Sequence, residues 1–218
     1  MQTALALDTP PLSTSILDVA ATLADLLDGK GQSITRQILT EIFANETGCS
    51  DASGHWSMRD AYTALELAQV LVVCGWKDMV DVGVPSKIKT KDDFGPLILD
   101  LFERLPSQSY RSESQIELQQ FSTPLPLAWA AAGAAGITAD DIVLEPSAGT
   151  GLLALRAHYM GAKLILNEID ELRRDCLAES YRGAAIHSID GAEIDELLDP
   201  KIQPSVVLMN PPFARSLG

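Results

Sequence analysis

From residue 142 onward the chain alternates short apolar runs with segments of helical period, and this alternation most constrains its fold. Ile142-Val143-Leu144 is the first run, and residues 163–166, 184–189 and 206–209 supply three more. Helical patterns over 151–160, 171–181 and 193–198 separate them. Short, largely apolar strands joined by helices predict a parallel sheet with covered faces. The fold class read from the pattern is therefore α/β, with about four parallel strands.

The chain before residue 110 has a different texture. Ile16, Val19, Ala20, Leu23, Leu26 and Leu27 recur at helical spacing after a cap at Ser13 or Thr14, and Gly29 stops the run. Ser33 is expected to cap a second helix carrying Ile34, Ile38, Leu39, Ile42 and Phe43, ended near Gly48. A third is expected from Ser57 through Val72, and a fourth from Lys91 or Asp92 to Arg104, stopped by Pro106. Residues 1–11 read as frayed, and 49–54, 85–90 and 106–114 as loops. A short helix over 113–120 precedes an Ala-rich one that runs to Ala135. The division expected is a helical region over 1–110 and an α/β domain over 111–218.

Charge narrows the function classes. The chain has 30 acidic and 16 basic residues and a formal net charge of -14, which argues against its holding nucleic acid alone by phosphate neutralisation. Lys87, Lys89 and Lys91 form the only basic cluster, and Asp92 and Asp93 follow at once. Cys49, Cys74 and Cys176 are odd in number and far apart, so no disulfide framework is expected and a reducing cytoplasm is the natural compartment. His55, His158 and His187 lack metal-ligand spacing, so no metal site is expected. No signal peptide and no membrane-spanning run is apparent.

Four motifs carry chemistry. After the last strand comes Asn210-Pro211-Pro212-Phe213. An exocyclic amine on a planar ring is a poor nucleophile because its lone pair is delocalised. The Asn210 side-chain oxygen and the Pro211 carbonyl can accept its two N–H bonds, the prolines hold those acceptors in place, and Phe213 can stack on a base. After the first strand comes Glu145-Pro146-Ser147-Ala148-Gly149-Thr150-Gly151, where small residues let backbone approach a ligand at a helix N-terminus. Gly149-x-Gly151-x-x-Ala154 also satisfies the dinucleotide pattern, with Glu168 about twenty residues on, so a nicotinamide-dependent oxidoreductase is a competing reading. Glu145 favours a ligand bearing an amino group, such as the methionine part of S-adenosylmethionine, over a pyrophosphate. Glu168, after the second strand, can accept from ribose hydroxyls, and Asp190, after the third, from an adenine amino group. Each acid could equally be a loop or turn residue. Finally, Thr123 and Pro124 suit the N-cap and N1 positions of the Ala-rich helix, and the Thr hydroxyl could instead meet a carboxylate.

Taken in order, Phe121-Ser-Thr-Pro124, Glu145 to Gly151, Glu168 and Asn210 to Phe213 resemble the adenine-N6 DNA methyltransferases in which the methyl-donor region precedes the catalytic motif. Longer strings, Arg111-Ser-Glu-Ser-Gln115, Gln119 to Leu127, Val206 to Phe213 and Trp56 to Gln69, look like the methyltransferase region of bacterial strawberry-notch-like methylase/helicase proteins. The resemblance implies a partial Rossmann-like sheet and S-adenosylmethionine as cofactor. It implies cofactor binding by Thr123, Glu145, Ser147, Gly149, Gly151, Glu168 and Asp190, and catalysis by Asn210, Pro211, Pro212 and Phe213. It also implies DNA as partner, through regions outside this chain, and a helicase module of the same polypeptide. Methyltransferases of this fold have more strands than the four read here, so the chain is expected to be a fragment. The same Asn-Pro-Pro-aromatic string serves enzymes that methylate RNA guanine N2 or a protein glutamine amide. A catalytically incomplete cofactor-binding or structural module is a further alternative.

Overall fold

The computed structural model describes residues 12–29, 31–81, 94–106 and 122–211. The expectations for 1–11, 85–90, 113–120, the lysine cluster, Phe121, Pro212 and Phe213 lie outside the described residues.

The first half is helical, as its periodicity predicts: α1 (Leu12–Ala24), which runs into a π-helical turn (Asp25–Gly29), α2 (Arg36–Thr47), α3 (Met58–Asp81) and α4 (Phe94–Glu103). Three details differ from expectation. Helix α1 begins at Leu12, so Ser13 and Thr14 lie inside it and do not cap it. The α2 cap is Thr35, whose hydroxyl accepts from the Ile38 N–H at 3.2 Å, and not Ser33. The Ile34 N–H bonds to the Arg104 carbonyl at 2.8 Å, which holds residues 33 and 34 outside the helix. Helix α3 also continues past Val72 to Asp81.

After α5 (Leu125–Ala134) comes the sheet: β1 (Ile142–Glu145), β2 (Lys163–Asn167), β3 (Ala185–His187) and β4 (Val206–Val207). Helices α6 (Leu155–Met160), α7 (Glu171–Ser180) and α8 (Ile194–Leu197) make the crossovers. The order is β3-β2-β1-β4 and every pairing is parallel. The chain therefore steps outward from β1 to β3 and returns to the other side of β1 for β4. In such sheets a ligand crevice opens at the carboxyl ends of the strands where direction reverses, here between β1 and β4.

Register fixes which side chains meet which layer. Val143 lies opposite Leu164, and Leu144 opposite Ile165. Val143, Leu164 and Leu166 point into a large buried cluster shared with α1, α3, α4, α5, α6 and α7. Helix α1 packs against both α3 and α7, so the helical region and the sheet's own helices share one core. Phe94, Trp129 and Tyr159 knit α4, α5 and α6 together, with ring centroids 4.3–5.9 Å apart. Leu144 and Ile165 point the other way, into a small cluster closed by Ile194 and Leu198 of the α8 region.

Three predicted elements are shorter than expected. Helix α6 starts at Leu155 rather than 151, because a turn closed by the Gly151 N–H to the Ala148 carbonyl at 2.8 Å comes first. Strand β3 ends at His187, since the backbone of Ile189 is taken by a side chain described below. Strand β4 covers 206–207; the Leu208 N–H still bonds to the Leu144 carbonyl at 2.9 Å before the chain turns away.

Candidate functional site

A cavity of about 450 Å³ lies at the carboxyl ends of β1, β2 and β4, within the range of about 300–1,000 Å³ usual for small-molecule sites. Its floor is the loop after β1. Glu145, the last residue of that strand, is 2 % exposed, and its Oε2 has no hydrogen-bond partner among the described residues. Burial first, and the neighbouring Glu168 carboxylate second, push the Glu145 carboxyl well above the usual range; the Ala154 N–H acts in the opposite sense.

Glu168 follows β2 and is also buried. Its Oε2 accepts from the Gly149 N–H at 2.7 Å and its Oε1 from the Asp170 N–H at 2.8 Å. Gly149 is left-handed, with φ +57°, and that conformation turns its N–H toward the acid. Ser147 and Gly149 line the cavity. Gly151 does not line it. With φ +88° it sits under Tyr181, whose hydroxyl donates to the Gly151 carbonyl at 2.7 Å; a Cβ there would lie 2.3 Å from the tyrosine ring. The second glycine thus serves helix packing.

Asp190 reaches the cavity rim and is exposed. Its carboxylate accepts from the Ala192 N–H at 3.0 Å, capping a short 3-10 turn, so the turn role open to it in the sequence is present alongside the cavity position.

The opposite wall joins two segments far apart in sequence. Ser122 and Thr123 precede α5, Asn210 and Pro211 follow β4, and all four line the cavity. The Asn210 Nδ2 donates to the Thr123 Oγ1 at 2.9 Å. Thr123 is not the α5 N-cap. Pro124 occupies that position with no side-chain cap, and Pro126 in the first turn lacks an N–H to be capped. The Thr123 hydroxyl is engaged instead by Asn210.

Three residues escaped the sequence reading. Glu66, in α3, is 5 % exposed, and its Oε2 accepts from both Ser122 Oγ at 2.8 Å and Thr150 Oγ1 at 2.9 Å. It bridges the two cavity walls from the helical region. Its α-helical spacing resembles that of any surface acid, so no sequence signal marks it. Asn167, at the end of β2, donates to the Pro146 and Ile189 carbonyls at 2.9 and 2.8 Å and accepts from the Ile189 N–H at 2.8 Å. It ties the loops after β1 and β3 to β2. A polar amide closing an apolar run was the available clue. Arg173, 6 % exposed, borders the cavity beside Gly149, and its Nε lacks a partner among the described residues.

Outside the cavity, Arg59 pairs with Asp170 at 2.5 Å, linking α3 to the start of α7. Burial would raise the Asp170 carboxyl, but the Arg173 N–H and the Arg59 guanidinium outweigh it and hold the group below its ordinary value. His158 packs edge-on against Tyr181, as a packing histidine would. Among the described residues no cluster of His, Cys, Asp and Glu is arranged to hold a metal ion. No helix among them is long and apolar enough to cross a membrane.

Chemically, the floor offers the Glu168 carboxylate and the raised Glu145 carboxyl, and the far wall a neutral amide. A pyrophosphate would meet like charge at Glu168. A cationic or hydroxyl-rich ligand would find acceptors there.

No protein-family model matches the chain, and no curated protein matches it. Among solved structures the chain is similar to the crystal structure of a "putative RNA methyltransferase" from Pyrococcus horikoshii, at 25% sequence identity and a TM-score of 0.41. The match covers 55% of this chain and 59% of that one.

Proposed function

We propose that the chain is an S-adenosylmethionine-dependent methyltransferase domain acting on a planar exocyclic amine, adenine N6 in DNA. The observation that carries this reading is the meeting of Asn210-Pro211 with the buried acids Glu145 and Glu168 on one cavity. The residues fit the cofactor: the unpartnered Glu145 Oε2 suits an ammonium group, and Glu168, with two of its acceptor positions used, retains capacity for ribose hydroxyls. Gly149 and Ser147 allow close backbone approach, and Asp190 at the rim suits an adenine amino group. When bound, S-adenosylmethionine supplies a methyl group activated by a sulfonium. Asn210 Oδ1 and the Pro211 carbonyl accept the two amine hydrogens, which localises the nitrogen lone pair and orients it. Pro212 stiffens the segment and Phe213 stacks on the extruded base.

With a net charge of -14, this chain gains little from phosphate contacts. DNA is held by other regions, a helicase module of the same polypeptide among them. The like-charge floor disfavours the nicotinamide reading.

Calorimetry with S-adenosylmethionine and with NAD separates these cases; binding of NAD alone refutes the proposal. Transfer of a labelled methyl group to DNA, RNA or protein identifies the target. Asn210→Ala should reduce transfer by about 10²-fold or more, as loss of an oriented transition-state partner does.

A further inference from the structure

We infer that Thr123 is a positioning residue for Asn210, anchoring its amide by the donor edge so that the accepting edge faces away from Thr123. The inference rests on the methyltransferase reading and assigns Thr123 a role other than holding the cofactor's carboxylate.

An asparagine has two chemically opposite edges, one donating and one accepting. Only the accepting edge can take an amine hydrogen. The two are nearly equal in size and shape, so packing alone does not choose between them. Asn210 Nδ2 donates one of its two N–H groups to Thr123 Oγ1 at 2.9 Å, which anchors the amide by its donor edge and turns Oδ1 away from Thr123.

Such a choice works only if the threonine is itself held. Thr123 lies in a segment fixed by its neighbour: Ser122 Oγ donates to Glu66 Oε2 at 2.8 Å. The same oxygen accepts from Thr150 in the glycine loop at 2.9 Å. Glu66 is buried, and among the described residues no ion pair includes it. A buried carboxylate without a cation is costly unless its hydrogen bonds are made, so these hydroxyls are firmly bound to it. Helix α3 therefore sets the height of residues 122–123 relative to the glycine loop. Thr123 then sets the amide of Asn210 relative to both.

The test uses Thr123→Val, which keeps the shape and removes the hydroxyl, and Thr123→Ser, which restores it. At saturating S-adenosylmethionine the Val variant should lose about tenfold in kcat for methyl transfer, corresponding to about 1.4 kcal/mol. Its Kd for the cofactor should change less than twofold, and the Ser variant should recover most of the rate. Weakened cofactor binding with kcat intact would overturn the inference and return Thr123 to the cofactor, leaving the methyltransferase reading in place. Absence of cofactor binding by the parent chain would instead refute that reading.

A second measurement does not depend on turnover. The sequence holds only three asparagines, Asn45, Asn167 and Asn210, so selective ¹⁵N-asparagine labelling gives three side-chain amide pairs. The Asn210 pair should show slowed hydrogen exchange that is lost in Thr123→Val and kept in Thr123→Ser. An exchange rate unaffected by the Val substitution would overturn the inference.

Discussion

Replacing Glu145 with Gln should stabilise the protein at neutral pH while weakening its affinity for a cationic ligand. The carboxyl titrates normally in the unfolded chain, near 4.5, and well above that in the folded state because it is buried beside Glu168. Between those two values the native state binds more protons than the unfolded state. Stability is then fully present below 4.5 and declines as pH rises toward the folded value. The slope is at most about 1.4 kcal/mol per pH unit, so the loss from pH 4.5 to 7 is at most about 3.5 kcal/mol. For a chain of this size each kcal/mol moves Tm by about 2–4 °C. Gln has the same shape and no charge, so the variant should match the parent near pH 4.5 and exceed it by up to about 7–14 °C at pH 7. Asp170 drives stability the other way, since its carboxyl sits below the ordinary range. It is present in both proteins, so the difference between them isolates Glu145. Scanning calorimetry from pH 4.5 to 8 measures it. Parallel Tm curves for parent and variant would refute the argument, because they would mean that residue 145 exchanges no extra proton on folding. Calorimetric titration of the same two proteins with S-adenosylmethionine should show the variant binding at least about tenfold more weakly, the loss expected for one charge-assisted hydrogen bond.

Gly151→Ala should cost about 2–5 kcal/mol in urea denaturation, from a left-handed backbone plus a clash with Tyr181. Gly149→Ala, whose nearest neighbour is 3.7 Å away, should cost only about 1–2 kcal/mol; equal losses would contradict the assigned geometry. Arg59→Ala should cost about 1 kcal/mol at pH 7, the screened value for a pair partly open to water. Because Asp170 is held low, that deficit should be present above its ordinary value and vanish as pH falls through the folded one; a deficit independent of pH would contradict the pairing. Cys176 is fully buried and its thiol is pushed up to about 12, chiefly by burial, so mass spectrometry after thiol labelling of the native protein at pH 8 should find it unmodified. Modification at the rate of the partly exposed Cys49 would show that the core there opens.

The sheet was legible because β1, β2 and β4 have largely apolar runs and the crossovers between strands have helical period. The two acids were legible because they stand directly at strand ends. Other features depend on contacts between segments that no local pattern records. Thr123 has the chemistry of an N-cap, but Asn210, beyond strand β4, takes its hydroxyl. Glu66 has the spacing of a surface acid, yet the glycine loop and the segment before α5 cover it. The two motif glycines look equivalent in the sequence, and only the position of Tyr181 separates a cavity-lining glycine from a packing one. Strand ends shifted for a similar reason: the Asn167 side chain takes backbone groups of Ile189 that would otherwise extend β3.

Among the described residues the two faces of the sheet are protected very unequally. One is buried in the large cluster that includes α1 and α3, whereas the other is closed by Leu144, Ile165, Ile194 and Leu198 with a few half-buried neighbours. Opening of a small apolar unit costs less free energy than global unfolding, so residues 189–202 form the natural low-energy excursion of this protein. Native-state hydrogen exchange should find their amides exchanging by a subglobal route while those of β1 and α3 wait for complete unfolding. The rim at Asp190 to Ala192 belongs to that excursion. A ligand that touches the rim thus closes a local equilibrium without disturbing the bundle, and its affinity includes the free energy of ordering the thin face.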